Sequence, residues 1–205
     1  DTITRNKARS LLTGFGVFWG IFMLVALVGG GQGLKDLLSS NFEGFASNSL
    51  ILFPQSTTKA YHGFRKGRAW GLTYGDIERL KAQVPQLGVV SPMLSRWGGF
   101  AIHDDKKSSC SFKGVLPDYA EVEAPKLYYG RYINEMDIAD GRRVCVIGKR
   151  VYKSLFPGGG DPCGQRIQVD SAYYQVVGVD YSDGSMSVNG SADETVVVPI
   201  TLMQQ

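Results

Sequence analysis

The sequence predicts a mixed α+β domain that follows an N-terminal transmembrane and stalk helix. Residues 10–34 carry no charged side chain, and short apolar runs separated by turn residues fill the second half of the chain. The first pattern is typical of a membrane span and the second of strands. Of the 205 residues 43% are hydrophobic, and the chain contains 22 Lys and Arg residues and 19 Asp and Glu residues. This composition excludes disorder, and its charge gives no reason to expect nucleic acid.

The apolar segment is long enough to cross a bilayer. Residues 11–28 are almost wholly apolar, and about 20 such residues at roughly 1.5 Å each span a hydrocarbon core of about 30 Å. The apolar residues cover all faces of the helix. A secretory signal peptide is one alternative, but residues 26–29 fit a small-residue cleavage site poorly. A buried core helix is another, and runs of this length are rare in soluble proteins.

The flanking charges predict the orientation of this span. Arg5, Lys7 and Arg9 precede it, whereas Lys35 and Asp36 cancel just after it. Because basic flanks stay in the cytoplasm, we expect residues 1–31 to be the cytoplasmic N-terminus and the transmembrane helix, in a bacterial inner membrane. Residues 32–205 then form an extracytoplasmic domain, which is periplasmic where there is an outer membrane.

The glycine-rich stretch at residues 29–35 invites comparison with a phosphate-binding loop. It lacks the terminal Gly-Lys-Ser/Thr of that loop and follows a membrane helix instead of a buried strand. It therefore predicts close helix packing or a flexible exit from the bilayer.

The next segments predict a stalk and a first strand. Apolar residues recur at helical spacing along the predicted stalk, at Leu34, Leu37, Leu38, Phe42 and Phe45. We expect the membrane helix to continue outward as an amphipathic stalk. The apolar residues 49–53 then predict a buried strand that ends at Pro54.

Residues 55–72 form a basic segment with interleaved aromatic residues. The basic side chains are Lys59, His62, Arg65, Lys66 and Arg68, and the aromatic ones are Tyr61, Phe64 and Trp70. Such a loop can contact anionic headgroups, a partner protein or a substrate, but a solvated loop is the default interpretation. After it, Thr73 to Asp76 resembles a capping box. We expect a helix over residues 74–84 and a strand near Val89 and Val90, completing a strand-helix-strand unit.

Beyond Pro92 the pattern favours strands. The runs are residues 99–103, 111–115, 144–147, 166–169 and 173–179. Residues 149–156 predict a short helix, and residues 195–199 predict a last strand that returns towards the first unit. The expected division is a membrane-proximal α/β part at about residues 32–92 and 180–205, with a β-rich insertion at about residues 93–179.

The side chains that carry chemistry are scattered. His62 and His103 have no cysteine or carboxylate at ligand spacing, and Cys110, Cys145 and Cys163 show no metal-ligand pattern. The carboxylates are expected to be solvated surface charge, and they are Asp104, Asp105, Glu121, Glu123, Glu135, Asp137, Asp193 and Glu194. Residues 184–187 lack the context of a nucleophile elbow, and the sequon at residues 189–191 is interpreted as a flexible loop. We predict no catalytic, cofactor-binding or metal-binding residue, no cofactor and no enzyme.

Several motifs follow one another along the chain. Residues 5–13 read RNKARSLLT, residues 89–92 read VVSP, and further motifs lie at residues 112–119, 130–137, 146–148, 155–156, 161–164 and 174–179. In this order they resemble the MacB/FtsX-type permeases of ABC transporters, in which the first motif begins the first membrane helix and the second is a V-S-P segment. Cys163 departs from the family, which has an aliphatic residue there. Gly130, Gly164 and Gly178 are interpreted as turn or close-packing positions.

The resemblance implies a permease subunit fragment with a MacB-like periplasmic core domain. It also implies a homodimer or heterodimer with a second permease, further membrane helices, a cytoplasmic ABC ATPase and a periplasmic adaptor or substrate. ATP hydrolysis inside would then drive export or envelope work outside by mechanical transmission. The alternative is a single-span anchored module that binds an envelope partner without an ATPase. The residues do not distinguish small-molecule efflux from lipoprotein release or control of cell-wall enzymes.

Overall fold

The computed structural model describes residues 7–41, 49–182 and 190–204. It divides into two compact units, Asp1–Glu43 and Gly44–Gln205, and each unit is described by itself.

Helix α1, Lys7–Asn41, is the only element of the first unit in the described range. Its candidate membrane span is Leu11–Lys35, none of which is buried within the chain. Aromatic rings stack along it, with Phe15 and Trp19 centroids 6.1 Å apart. The apolar side chains therefore face outward, as expected for a helix that lipid surrounds.

The helix is unbroken through the glycine-rich residues 29–33. The predicted flexible exit is therefore wrong, although each glycine costs a helix about 1 kcal/mol relative to alanine. The extension beyond the span is confirmed as far as Asn41, which includes the backbone of Leu37 and Leu38. The stalk positions Phe42 and Phe45 lie outside the described residues.

Two predicted strands before residue 92 are wrong. Residues 49–53 are irregular and exposed, with Leu50 81% exposed, and Val89 and Val90 precede the first strand of the sheet. An apolar run indicates that a segment can be buried, but a strand also needs a neighbour for its backbone hydrogen bonds. In the described part of the chain no strand pairs with either segment. The expected strand-helix-strand unit is therefore absent from residues 49–92.

Helix α2, Tyr74–Gln83, confirms the helix predicted there. The Asp76 carboxylate accepts hydrogen bonds from the Thr73 backbone N–H and hydroxyl, each at 2.8 Å, which satisfies a free donor at the helix start. Two side-chain hydrogen bonds connect α2 and the segment after it to later parts of the chain. Gln204 donates to the Tyr74 hydroxyl at 3.0 Å, and Ser91 donates to Asp118 at 2.7 Å.

One seven-stranded sheet forms the centre of the second unit. Its strands are β1 (Met93–His103), β2 (Lys106–Val115), β3 (Leu127–Gly130), β4 (Val144–Gly148), β5 (Arg166–Val169), β6 (Ala172–Asp180) and β7 (Thr195–Pro199). The order is β3-β6-β4-β7-β2-β1-β5, and β5 also pairs with β6. The pairings therefore close on themselves, with β3 beside the C-terminal half of β6. The strands predicted from residue 99 onward are confirmed.

The placement of β7 corrects one expectation. Residues 195–199 form the predicted strand, but it lies between β4 and β2 in the middle of the sheet and pairs with no segment of residues 49–92. The reason is visible in the alternation of its side chains. Val196 and Val198 pack in one apolar cluster and Val197 in a second, so both faces of this strand are buried.

Short helices cover the sheet. They are α3 (Ala120–Glu123), α4 (Glu135–Ala139) and α5 (Lys149–Leu155). Helix α5 confirms the helix predicted at residues 149–156. It buries Val151, Tyr152 and Leu155 against the first apolar cluster.

Two predicted structural glycines sit where no larger residue fits. Gly130 has φ +69°, and a Cβ there would lie 2.0 Å from the Val177 carbonyl oxygen. A Cβ on Gly178 would lie 2.3 Å from the Arg131 carbonyl oxygen. These glycines bring β3 and the segment after it against β6, as close packing predicts.

Candidate functional site

The buried carboxylate of Asp137 holds the segment after β3, residues 131–137, in place through hydrogen bonds. The capping box of α4 is reciprocal: the Asn134 side chain accepts from the Asp137 N–H at 3.0 Å, and Asp137 accepts from the Asn134 N–H at 3.1 Å. Arg131 donates to both Asp137 oxygens, at 2.6 and 3.0 Å. The side chain of Asp137 is fully buried, so these bonds replace the water it has lost.

The pKa of Asp137 reflects this balance. Burial favours the neutral acid, but the bonds from Arg131 and Asn134, with the charge of Arg142, outweigh it and hold the pKa below its ordinary range. Asp137 is therefore a charged structural anchor at neutral pH. The arginine and aspartate of the motif at residues 130–137 are explained by this pair.

A second ion pair lies beside Tyr119, which belongs to the apolar cluster that contains Val197. Lys113, on β2, is 2% exposed, and its ammonium donates to both oxygens of Glu123 at 2.7 and 2.8 Å. The Tyr119 hydroxyl also donates to Glu123, at 2.9 Å. Burial lowers the pKa of Lys113, and the contact with Glu123 opposes that shift. Glu123 accepts from both neighbours, so this pair holds α3 on the sheet.

These two pairs correct the expectation that all the carboxylates are solvated. Asp137 is buried and Glu123 is 15% exposed, because each has a cation fixed by the fold beside it. Sequence reasoning missed both, since their partners come from other elements. Surface exposure holds for Asp104, Asp105, Glu121 and Glu135. Asp193 and Glu194 are half-buried, and Glu194 pairs with Arg150.

Neither histidine meets a catalytic arrangement. The His103 ring nitrogen Nδ1 bonds to the Arg166 carbonyl oxygen at 3.0 Å, and the ring packs on Phe156 with centroids 4.5 Å apart. Its other nitrogen lies 3.6 Å from the exposed Asp104 carboxylate. His62 occupies an exposed turn beside Tyr61. Both positions suit structural or surface roles.

The cysteines are free thiols. Cys110 and Cys145 are buried, and Cys163 is half-buried. Burial raises the pKa of Cys110 to about 12 and that of Cys163 to about 11, because a thiolate would lose its hydration. Across residues 7–41, 49–182 and 190–204 no group of three or more His, Cys, Asp or Glu side chains is placed to hold a metal. The serine motif at residues 184–187 lies outside the described residues, as does Asn189.

Residues 55–72, here called the basic finger, form a hydrogen-bonded hairpin. At its base the Thr57 N–H donates to the Arg68 carbonyl at 3.0 Å. At its tip Tyr61 and Phe64 exchange backbone hydrogen bonds of 3.3 and 2.9 Å. His62 and Gly63 between them have φ +45° and +83°, the left-handed pair that a two-residue hairpin turn requires. The segment predicted as a solvated loop therefore has a defined backbone.

The side chains of the basic finger project into solvent. All of its residues except Thr57 are exposed, and Tyr61 is 74% exposed. The Arg68 guanidinium lies 4.5 Å from the centroid of the Phe64 ring, a cation–π contact that stiffens the tip. The finger is thus a convex surface of cations and aromatic rings.

Comparison with known proteins places the chain among transporter components. A family profile described as "MacB-like periplasmic core domain" matches residues 10–205. The chain is 30% identical over 199 residues to the macrolide export ATP-binding/permease protein MacB 1/2 of Paracoccus denitrificans, covering 97% of this chain and 29% of that protein. It is 28% identical to the pyoverdine export ATP-binding/permease protein PvdT of Pseudomonas entomophila, covering 95% of this chain and 28% of that protein. The chain therefore spans less than a third of these relatives.

Solved structures share the fold. The periplasmic region of MacB from Actinobacillus actinomycetemcomitans matches 78% of this chain and 69% of its own, with a TM-score of 0.59 and 22% identity. The extracellular domain of the noncanonic ABC-type transporter YknZ from Gram-positive bacteria matches 65% of each chain, with a TM-score of 0.54 and 22% identity.

Proposed function

Because the chain belongs to the MacB-like periplasmic core domain family, we propose that it is the part of an ABC transporter permease that carries ATP-driven motion across the membrane. The single observation that carries this proposal is the unbroken helix Lys7–Asn41, which extends beyond its candidate span Leu11–Lys35. A continuous helix transmits displacement, whereas a flexible tether absorbs it.

The second unit has the stiffness that a mechanical element needs. Its sheet closes through β5 and β6, and buried ion pairs at Asp137 and Lys113 fix the covering helices. Such a body moves as a whole instead of deforming when force reaches it. Its role is mechanical, and chemistry belongs to a separate ATPase subunit or domain in the cytoplasm.

The proposed assembly is a dimer in the bacterial inner membrane. The N-terminus is cytoplasmic, because Arg5, Lys7 and Arg9 precede the span. Residues 32–205 then lie outside the membrane. Gly29, Gly30, Gly31 and Gly33 have nothing within 4 Å of an added Cβ, which leaves room for a second permease helix to approach. Residues 32–92 belong to a membrane-proximal part in this proposal.

The cargo is exported or acted on outside the inner membrane, with a periplasmic adaptor or substrate as the partner there. The names of MacB and PvdT relatives support export. The fold itself does not select a cargo, since related domains serve several functions.

A nucleotide-dependent distance measurement tests the proposal. The full-length permease with its ATPase is labelled at the exposed Tyr173, as Tyr173→Cys on a Cys163→Ser background, and distances between the two protomers are measured by electron spin resonance. Trapping with ATP and vanadate is expected to shift the distance distribution. An unchanged distribution in an assembly that hydrolyses ATP would favour an anchored binding module instead.

A further inference from the structure

We infer that the basic finger, residues 55–72, is a membrane-docking element that binds anionic phospholipid headgroups. The argument rests on its charge, its backbone and its aromatic side chains, and on the presence of a candidate span in the same chain.

The charge of the finger is unbalanced. It contains Lys59, Arg65, Lys66 and Arg68 and no Asp or Glu. In the described part of the chain Lys59, Arg65 and Lys66 make no ion pair, and all three are exposed. Exposed cations without an acidic partner are attracted to an anionic membrane surface. Each lipid phosphate that approaches such a side chain adds an attractive charge contact, and the side chain keeps most of its hydration.

The backbone of the tip suits entry into a headgroup layer. Tyr61 and Phe64 bond each other's N–H and C=O groups, and Thr57 closes the base with Arg68 and Gly67. Hydrogen-bonded backbone groups do not lose their partners when water is displaced. The His62-Gly63 turn reverses the chain within two residues, so the tip of the finger is narrow.

The aromatic side chains complete the chemistry. Tyr61, Phe64 and Trp70 are each at least 50% exposed. Tyrosine and tryptophan concentrate at membrane interfaces, where the ring contacts acyl chains and the polar atom stays hydrated, and lysine and arginine flank them there. An acidic protein partner would use the cations equally well, but it gives no reason for two exposed rings at the tip and a third just beyond the base of the finger.

The bilayer is also within reach. The helix ends at Asn41, six residues beyond Lys35, and 13 residues separate it from the finger. Thirteen residues can span at most roughly 45 Å at about 3.3 Å per residue, which exceeds the roughly 9 Å that six helical residues rise above the span. The length of the chain therefore allows the finger to reach the headgroups.

Photocrosslinking in lipid of defined composition tests this inference. The full-length protein carries p-benzoylphenylalanine in place of Tyr61 and is reconstituted into nanodiscs of phosphatidylcholine with or without phosphatidylglycerol. The control carries the same group in place of Tyr173, which is 60% exposed in β6. After irradiation, mass spectrometry counts lipid adducts at each position.

The expected result is a phosphatidylglycerol adduct at position 61 that exceeds the adduct at position 173. Lys59→Gln, Arg65→Gln and Lys66→Gln together should lower it by about tenfold or more, because each cation contributes to headgroup attraction. A matched variant with Lys81→Gln, Lys106→Gln and Lys153→Gln, all exposed elsewhere, loses the same charge and should retain the adduct. The inference is overturned by equal labelling in phosphatidylcholine alone, by equal labelling at both positions, or by adducts at position 61 that are protein instead of lipid.

Discussion

Replacing the buried Asp137 by asparagine should destabilise the second unit, Gly44–Gln205, by about 2–3 kcal/mol at neutral pH. Asparagine keeps the shape and one acceptor oxygen, but it loses the charge that binds both arms of Arg131. Charge-assisted hydrogen bonds contribute about 1.5–3 kcal/mol each. Two such bonds would give about 3–6 kcal/mol. The expected loss is smaller, because Arg131 is 42% exposed and regains water and because the uncharged side chain costs less to bury.

The assay is urea or thermal denaturation of the full-length protein, followed by the circular dichroism of the sheet. For a domain of this size the expected loss corresponds to a fall in Tm of about 4–12 °C. Arg142→Gln is the matched control. Arg142 lies 4.0 Å from Asp137 and is 45% exposed, so its removal should cost less than about 1 kcal/mol.

The effect of Asp137→Asn should depend on pH in one direction. The folded state lowers the pKa of Asp137 below its ordinary 3.8. The stabilisation is therefore fully present above pH 3.8 and is lost as the pH falls through the folded pKa. The difference between the native protein and the variant should shrink below about pH 4. A difference that is unchanged at low pH, or a control variant that is equally unstable, would refute the role assigned to this pair.

Two further predictions concern close packing and the thiols. Gly148→Ala should lower the free energy of unfolding by about 1–3 kcal/mol, because its Cβ would lie 2.3 Å from the Ala192 carbonyl oxygen. Gly158→Ala is the control: its Cβ would have nothing within 4 Å, so the same denaturation assay should show almost no change in stability. Equal stability of the two variants would contradict this packing. Cys110 and Cys145 should resist alkylation at pH 8 in the native protein and react in urea, because burial raises both pKa values, Cys110's to about 12. Rapid native modification, detected by mass spectrometry, would show that the sheet opens.

The sequence was most informative where a local pattern is enough to define an element. The span, α2, α5 and all strands after residue 99 except β3 follow from hydrophobic periodicity and turn residues, which act within a few positions. The family resemblance is confirmed by the profile match, and it explains residues such as Gly130 whose role is steric.

The failures involve partners that are distant in sequence. Residues 49–53 have the apolar character of a strand but no neighbour in the described chain. The position of β7 depends on pairing with β4 and β2, which a local pattern does not specify. Glu123 was expected in solvent because nothing nearby in the sequence identifies Lys113 as its partner. The hairpin of the basic finger was missed because His62 stands where asparagine or aspartate would have signalled the turn.

The central claim is that the helix Lys7–Asn41 transmits motion, and a substitution at Gly31 tests it most directly. Gly31→Ala fits without contact and raises helix propensity, whereas Gly31→Pro removes a hydrogen bond and kinks the helix. In the full-length permease with its ATPase, the measured quantity is the vanadate-dependent shift in distance between labels at Tyr173 of the two protomers. We predict that Gly31→Ala retains the shift and that Gly31→Pro abolishes it while ATP hydrolysis continues. A shift of native size in Gly31→Pro would contradict transmission through this helix.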